Sequence, residues 1–346
     1  MDLSLAALLL QDGVVTGAIY ALLATALVLV FSITHVPFVP LGGFVGFTAL
    51  SLVAIQEGRL PMVGYVVMAM GALCFVLEAA GASRTKSFAR TLVTAGTQYL
   101  LVPAVLWALA IAASRMHAPV PFGMLAALLL VVPLGPMIYR VAFQPLIDAD
   151  PLTFFMLSIA VDVSMVGLGL VLFGPEGART APYTDLRLKI GDLTVPGQNL
   201  FILGSALLLT VGLYFFFNRT IRGKMLRATA VNRTGAQLMG ISVAKSGQLA
   251  FTLAAVIGAI CGLLIAPNIT LNYSSGLTIG LKGFIAAVVG GFVSYPVAAL
   301  GGVLIGLLES FSSFWLSAWK EVIVFTLIVP VLLLRTLYGR NDDDTH

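Results

Sequence analysis

The sequence predicts an all-α polytopic membrane protein, a single transmembrane domain over 1–346 with about ten or eleven membrane helices, broken segments included. Three observations predict it. Hydrophobic residues make up 59% of the 346 positions and charged residues only 10%, where soluble domains carry about 25% charged residues; mean hydropathy is +1.04. The apolar residues fall in continuous runs long enough to cross a bilayer, about 20 residues each, not in the short alternating segments of a barrel. The 35 glycines suit helices that approach closely through small residues.

Taken in order, spans are expected at about 13–33, 36–56, 61–80, 91–113, 121–139, 152–173, 200–217, 247–267, 277–293, 299–316 and 321–337, each boundary uncertain by about 2–4 residues. The first run lacks the basic leader of a cleavable signal. The second, THVPFVPLGGFVGF, holds Pro37, Pro40, Gly42 and Gly43, so an unbroken helix is not expected there. Irregular backbone at membrane depth is tolerated where protein buries it or where it lines a cavity. The stretch Ser274–Pro296 is also glycine-rich, and two interrupted segments in opposite halves point to a solute path. Two kinked, glycine-packed helices are the plainer reading of the same residues.

Two loops stand out. In 174–199, Leu186, Leu188 and Ile190 alternate with Arg187 and Lys189, which predicts a small β-hairpin. The segment 218–246 carries Arg219, Arg222, Lys224, Arg227, Arg233 and Lys245 and no acidic residue. A basic loop between spans belongs on the cytoplasmic side. Its middle, with Ala230, Leu238 and Met239 against Arg227, Asn232 and Arg233, reads as a short amphipathic helix offered to a partner. Alternating the loops from there puts the N-terminus outside and the C-terminus inside. Twelve Lys and Arg then lie inside, among them Arg84, Lys86, Arg140 and Arg340, against six outside.

Few residues carry chemistry. No phosphate loop, metal-ligand spacing or nucleophile motif occurs, and His35, His117 and His346 lie far apart, so no enzyme is expected. Cys74 and Cys261 read as small core residues. The intramembrane charges are Asp162, Lys282 and Glu309, with Glu78 near a span end. Each should face the bundle or a partner. Lys282 and Glu309 are expected either to pair and lock two helices or to line a substrate or proton path. Asp162 is read equally as a solute contact or as a structural partner of Ser158 or Ser164.

The segments RTIRGKMLRATAVNRTGAQLMGI, GLKGFIAAVVGGFVSYPVAALGGVLIGLLES, YRVAFQPL and GAIYALLATALVLVFSIT resemble the LivH-type permease subunit of branched-chain amino-acid ABC importers. The resemblance covers about Gly13–Phe47 and Pro121–Gly339. It implies a permease in the bacterial cytoplasmic (inner) membrane, one half of a heterodimer with a second, LivM-like permease. Two cytoplasmic ABC ATPases would bind ATP and Mg, this chain holding no cofactor, and an extracytoplasmic binding protein would deliver a small organic solute: a branched-chain or other amino acid, or a related carboxylate or amide. The lipid bilayer is the remaining partner, and nucleic acid is none. An ion-coupled secondary transporter is the alternative. By resemblance, Ala230–Gly240 is the coupling helix, with Gly240 matching the family glycine, and Arg227, Ala230, Val231, Asn232 and Arg233 contact the ATPase. The family's acidic residue is absent at Val231 and Asn232, which shifts that contact toward Arg227 and Arg233. Where the family has a polar stretch, this chain has Phe38, Val39, Pro40, Leu41 and Gly42, so Phe38, Pro40, Leu41, Gly42, Gly43, Gly280 and Gly283 are expected to border a more apolar translocation path. Residues 58–120 match nothing in the family and read as an inserted helical hairpin.

Overall fold

The computed structural model describes residues 3–82, 88–116, 118–147, 149–184, 186–190, 193–292 and 294–339. Arg84, Lys86, His117, Arg340 and His346 lie outside them. Among the described residues eight helices are long and apolar enough to cross a membrane, and two shorter apolar helices accompany them.

Helix α1 (Leu3–Thr34) runs into the proline-rich break, and α2 (Leu41–Gln56) resumes immediately after Pro40. Next come α3 (Val63–Ala82) and α4 (Phe88–Gly96), which passes through a π-helical turn at Thr97–Leu101 into α5 (Val102–Arg115). Helices α6 (Val120–Val131) and α7 (Leu134–Ile138) make one bent span that ends in a second π-helical turn, Tyr139–Phe143. Pro133, just before α7, explains the interruption. Helix α8 (Pro151–Phe173) starts on Asp150, whose side chain accepts the Thr153 N–H, an N-cap ahead of a proline at the first helical position.

Strands β1 (Arg187–Ile190) and β2 (Leu193–Pro196) then form the antiparallel hairpin that the alternation predicts, with Leu188 opposite Val195. Helix α9 (Gly197–Arg219) leads to α10 (Ile221–Val231) and α11 (Arg233–Leu238), and α12 (Val243–Ile265) returns. The 23 residues of α9 span about 34 Å at 1.5 Å per residue. The hairpin and the α10–α11 segment therefore lie at opposite ends of the bundle. The last elements are α13 (Ser275–Val289), α14 (Tyr295–Trp315), α15 (Lys320–Thr326) and α16 (Ile328–Gly339). The run expected as one span at 321–337 is thus two helices meeting at Leu327. Pro330 accounts for the joint, because its ring crowds the carbonyl four residues back, at Thr326.

Helix α1 lies at the centre, packed along α14, α12 and α13, while α2 is enclosed by α12, α13 and α6. In lipid, helices gain little from excluding water and associate through close packing. Gly13 and Gly17 on α1 face Gly302 and Gly306 on α14 so closely that a Cβ on Gly306 would collide with the Gly17 backbone. The outer helices bury less. Helix α8 meets the rest through one stripe: Phe154, Ser158, Asp162, Met165 and Gly169. The 58–120 stretch is fastened by an ion pair between Glu78 and Arg140 at 2.8 Å, by the Ser114 hydroxyl on the Arg59 carbonyl at 2.7 Å and by the Trp107 indole on the Pro61 carbonyl at 3.2 Å. Cys74 and Cys261 are buried and unbridged.

Candidate functional site

The polar segment between α9 and α12 is built from short, capped pieces. Thr220 Oγ1 accepts the Gly223 N–H at 3.0 Å and Asn232 Oδ1 accepts the Gly235 N–H at 2.8 Å, each satisfying an amide that a helix start leaves open. Helix α11 stops at Gly240, whose φ is +80°. The Gly240 N–H donates to the Gln237 carbonyl and the Ile241 N–H to the Ala236 carbonyl, both at 2.9 Å, the paired bonds of a Schellman ending. Only glycine takes that backbone without strain.

The expected helix over Ala230–Gly240 is therefore two helices, broken at Asn232, where φ is −150° and ψ 101°. The two arginines expected to carry the partner contact both bond acceptors of this chain, while Arg227 stays exposed and Arg233 is half-buried. Arg227 donates to the Phe217 carbonyl at 3.1 Å and to Asn218 Oδ1, and Arg233 donates to the Ile147 carbonyl at 3.1 Å. Thr229 and Ser246 are hydrogen-bonded at 3.1 Å, which fixes α10 to α12. Ala230 is half-buried against the core. Among the exposed positions of the segment are three large apolar side chains, Val231 at 88%, Leu238 at 85% and Met239 at 82%, beside exposed polar ones such as Arg227, Asn232 and Gln237.

The break between α1 and α2 is closed by α8. His35 takes φ +55°, Pro37 and Pro40 supply no amide donors, and Ser158 bridges what remains. Its hydroxyl donates to the Pro37 carbonyl at 3.1 Å and accepts the Val39 N–H at 3.0 Å. Phe38 packs against Phe44, Phe143 and Phe251 with ring centroids 4.6–6.1 Å apart. Phe38 is 2% exposed and Leu41 0%, so both are enclosed by this chain, and Phe38 edges an apolar pocket of about 100 Å³ with Val39 and Gly280.

Of the glycines expected along the path, Gly42 and Gly280 meet at one helix contact. A Cβ on Gly42 would collide with the Gly276 carbonyl, and one on Gly280 would come within 3.0 Å of the Gly42 backbone. Gly43 faces Met165 on α8, and Gly283 faces Leu23 on α1. Sequence order alone did not place α2 against α13.

The intramembrane charges divide. Lys282 on α13 and Glu309 on α14 form an ion pair at 2.5 Å, with side chains 6% and 15% exposed. Lys282 also reaches Glu321 on α15 at 3.2 Å, and the Tyr20 hydroxyl donates to Glu309 Oε2 at 2.6 Å. Glu321 and Tyr20 went unnoticed in the sequence. The available signals were a buried tyrosine that needs an acceptor and an acidic residue at the start of an apolar run. The same group forms the wall of a cavity of about 690 Å³ between α1, α12–α15 and the 174–199 loop. It thus both locks helices and lines a space. Asp162 is 3% exposed, and its Oδ1 has no hydrogen-bond partner among the described residues. Neither expected serine meets it, since Ser158 serves the break and Ser164 donates to the Ala160 carbonyl.

A family model described as "Branched-chain amino acid transport system / permease component" matches residues 9–332. The high-affinity branched-chain amino acid transport system permease protein BraD of Pseudomonas aeruginosa is 30% identical over 229 residues, 62% of this chain and 74% of that protein. LivH of Escherichia coli K12 is 28% identical over 228 residues, 61% of this chain and 71% of the relative. A probable LivH of Methanocaldococcus jannaschii is 26% identical over 233 residues, 63% of this chain and 74% of its own. No solved structure matches. Multi-pass helical architecture, a match over nearly the whole chain and these relatives agree: the chain belongs to the family of branched-chain amino acid ABC transport permeases.

Proposed function

We propose that this chain is the membrane half-channel of an ATP-driven importer for a small organic solute, with a branched-chain amino acid as first candidate. A binding protein delivers the solute, a second, LivM-like permease completes the passage, and two cytoplasmic ATPases bind ATP and Mg and drive the cycle. The chain sits in the bacterial inner membrane with the α10–α11 end and the C-terminus in the cytoplasm, and the N-terminus and hairpin outside, in keeping with the excess of Lys and Arg on the α10–α11 side.

The observation that carries this reading is the apolar knob Val231–Leu238–Met239 on a capped scaffold. An interface core favours desolvated apolar anchors with polar residues around them. Val231, Leu238 and Met239 would enter a groove of the ATPase, with Asn232 and Gly240 setting the shape. Arg227, Ala230 and Arg233 stiffen the segment from behind, so that a push on the knob moves α9 and α12 instead of bending the loop. The close contact of Gly42 and Gly43 with α13 and α8 is the closed path, with Phe38, Pro40, Leu41, Gly280 and Gly283 beside it. ATP-driven movement of α2 against α13 opens it. The 58–120 hairpin is an added brace, anchored through Glu78 and Arg140.

The test is Leu238→Glu combined with Met239→Glu in the co-expressed complex. The ATPases should be lost from the purified permease pair while permease yield stays near wild type. A complex that keeps its ATPases and its coupled hydrolysis would sink the assignment.

A further inference from the structure

A second concavity, of about 310 Å³, lies between the β1–β2 hairpin, the start of α9 and the turn that follows α12. That volume is within the roughly 300–1,000 Å³ of small-molecule sites. Its charged lining is two arginines, Arg179 and Arg187, and among the described residues no carboxylate lines it. Neither arginine belongs to an ion pair among the described residues. Arg179 donates its Nε–H to the Pro267 carbonyl at 2.7 Å, which holds the guanidinium in place and leaves its terminal N–H groups for another acceptor. Gln198 lines the same pocket and is 5% exposed. Its Oε1 accepts the Tyr183 N–H at 3.2 Å, while its Nε2 has no hydrogen-bond partner among the described residues. A buried amide donor is seldom left unmet, and this one shares its pocket with two cations. An oxyanion would satisfy all three.

What carries the oxyanion follows from the surface next to the pocket. Asn199 lines the pocket, and one residue later an exposed apolar stripe begins on α9: Leu200, Leu207, Leu208, Val211 and Phe215, spaced to share one helix face. Gly204 interrupts it, and a Cβ there would meet nothing within 4 Å, so the stripe has a shallow groove near its start. From Leu200 to Val211 it covers about 17 Å at 1.5 Å per residue, close to half of the roughly 30 Å hydrocarbon core of a bilayer. A cationic pocket at the head of a leaflet-long apolar stripe matches a phospholipid, whose phosphate and acyl chain are joined at that spacing. A headgroup bearing its own ammonium would bring a third cation to two arginines with no carboxylate to receive it. We propose that this pocket and stripe bind an anionic glycerophospholipid of the leaflet on the hairpin side. Its phosphodiester lies between Arg179 and Arg187 and accepts the spare Gln198 N–H, since the arginine fork suits phosphate oxygens. Its hydroxyl-bearing headgroup meets the amides of Asn199 and Asn268, and one acyl chain runs down α9. The bound lipid pins the hairpin to α9 and to the end of α12, whatever solute the permease carries.

The test is native mass spectrometry of the assembled complex, delipidated in detergent and titrated with phosphatidylglycerol or with phosphatidylethanolamine of the same acyl chains. The tightest phosphatidylglycerol should bind about tenfold more strongly than phosphatidylethanolamine, the margin expected from one charge-assisted contact. Arg179→Gln with Arg187→Gln should abolish that preference and lower the number of tightly held phosphatidylglycerol molecules by one per copy of this chain. Arg187→Gln alone, at an exposed hairpin position, guards against a folding defect and should weaken the same lipid in the same direction. Gln198→Glu keeps an acceptor for the Tyr183 N–H but replaces the spare amide with a carboxylate oxygen, and it too should weaken phosphatidylglycerol. Leu207→Asn with Leu208→Asn should weaken the lipid although the pocket is intact. Millimolar inorganic phosphate should leave the lipid bound, because it makes no contact with the stripe. Displacement by phosphate, or indifference to the leucine changes, would show a site for a free anion and overturn the lipid. Equal binding of the two lipids, or a double arginine variant that keeps its full complement of phosphatidylglycerol, would overturn the site, and loss of an extracytoplasmic protein partner in that variant would then assign the arginines to a protein contact.

Discussion

Replacing Lys282 with methionine removes the one cation that two carboxylates share. Glu309 is 15% exposed at the side chain and Lys282 6%, so little water is at hand to compensate. Breaking a buried pair by deleting one partner costs about 3–5 kcal/mol in soluble proteins. Glu321 adds less, since its side chain is 41% exposed and solvent screens it. The reverse change, Glu309→Gln, should be milder, about 1–3 kcal/mol, because Lys282 keeps Glu321 at 3.2 Å and the glutamine carbonyl still accepts the Tyr20 hydroxyl. The double variant should recover part of the Lys282→Met loss, as expected when an unpaired buried charge dominates the single defect. The assay is the thermal midpoint of monodisperse permease in detergent, read by fluorescence-detected size exclusion for all four combinations. Equal single losses that simply add in the double variant would refute the shared-cation account.

Three further outcomes are expected. Ser158→Ala removes both the donor to the Pro37 carbonyl and the acceptor of the Val39 N–H, so it should destabilise by about 1–3 kcal/mol, measured by the same thermal assay. Gly42→Ala places a methyl on the Gly276 carbonyl, an overpacking cost of about 1–3 kcal/mol; assembly should fall along with transport, whereas Gly43→Ala, facing the flexible Met165 side chain, should cost less in both assays. Cysteines at Phe38 and Leu41 should resist small aqueous thiol reagents in the nucleotide-free complex, because both positions are enclosed, and labelling in an ATP-trapped state would report the opening of the α2–α13 contact.

Much of the fold was legible because hydropathy sums over about 20 residues and survives local error. The break before α2 was legible because Pro37 and Pro40 remove donors whatever surrounds them. That Ser158 would repair it was not, since this depends on α8 crossing 120 residues later in the chain. The joint at Leu327 was available from Pro330 but was masked by the unbroken apolar run around it. Of the candidate site, the meeting of Lys282 with Glu309 was legible because buried charges of opposite sign are few. Glu321 and Tyr20 were not, because their spans could be ordered in sequence but not in space. The basic segment advertised its polarity, but the break at Asn232 was hidden, because asparagine fits the polar face of one helix as well as the cap of a second. The direction of Arg227 and Arg233 was hidden, since long side chains go where carbonyls wait, here at Phe217 and Ile147. Val231, Leu238 and Met239, which hydropathy alone would assign to an interior, stand exposed, as Arg227 does.

The central claim is that this permease moves its solute only when ATPases act through the α10–α11 knob. The direct measurement is uptake of radiolabelled L-leucine into proteoliposomes holding the complete complex and its binding protein, with ATP or a non-hydrolysable analogue on the ATPase side. The account predicts uptake with ATP, none with the analogue, and none with the Leu238→Glu, Met239→Glu variant under either condition. Uptake driven by a proton or sodium gradient without ATP, undiminished in that variant, would contradict it.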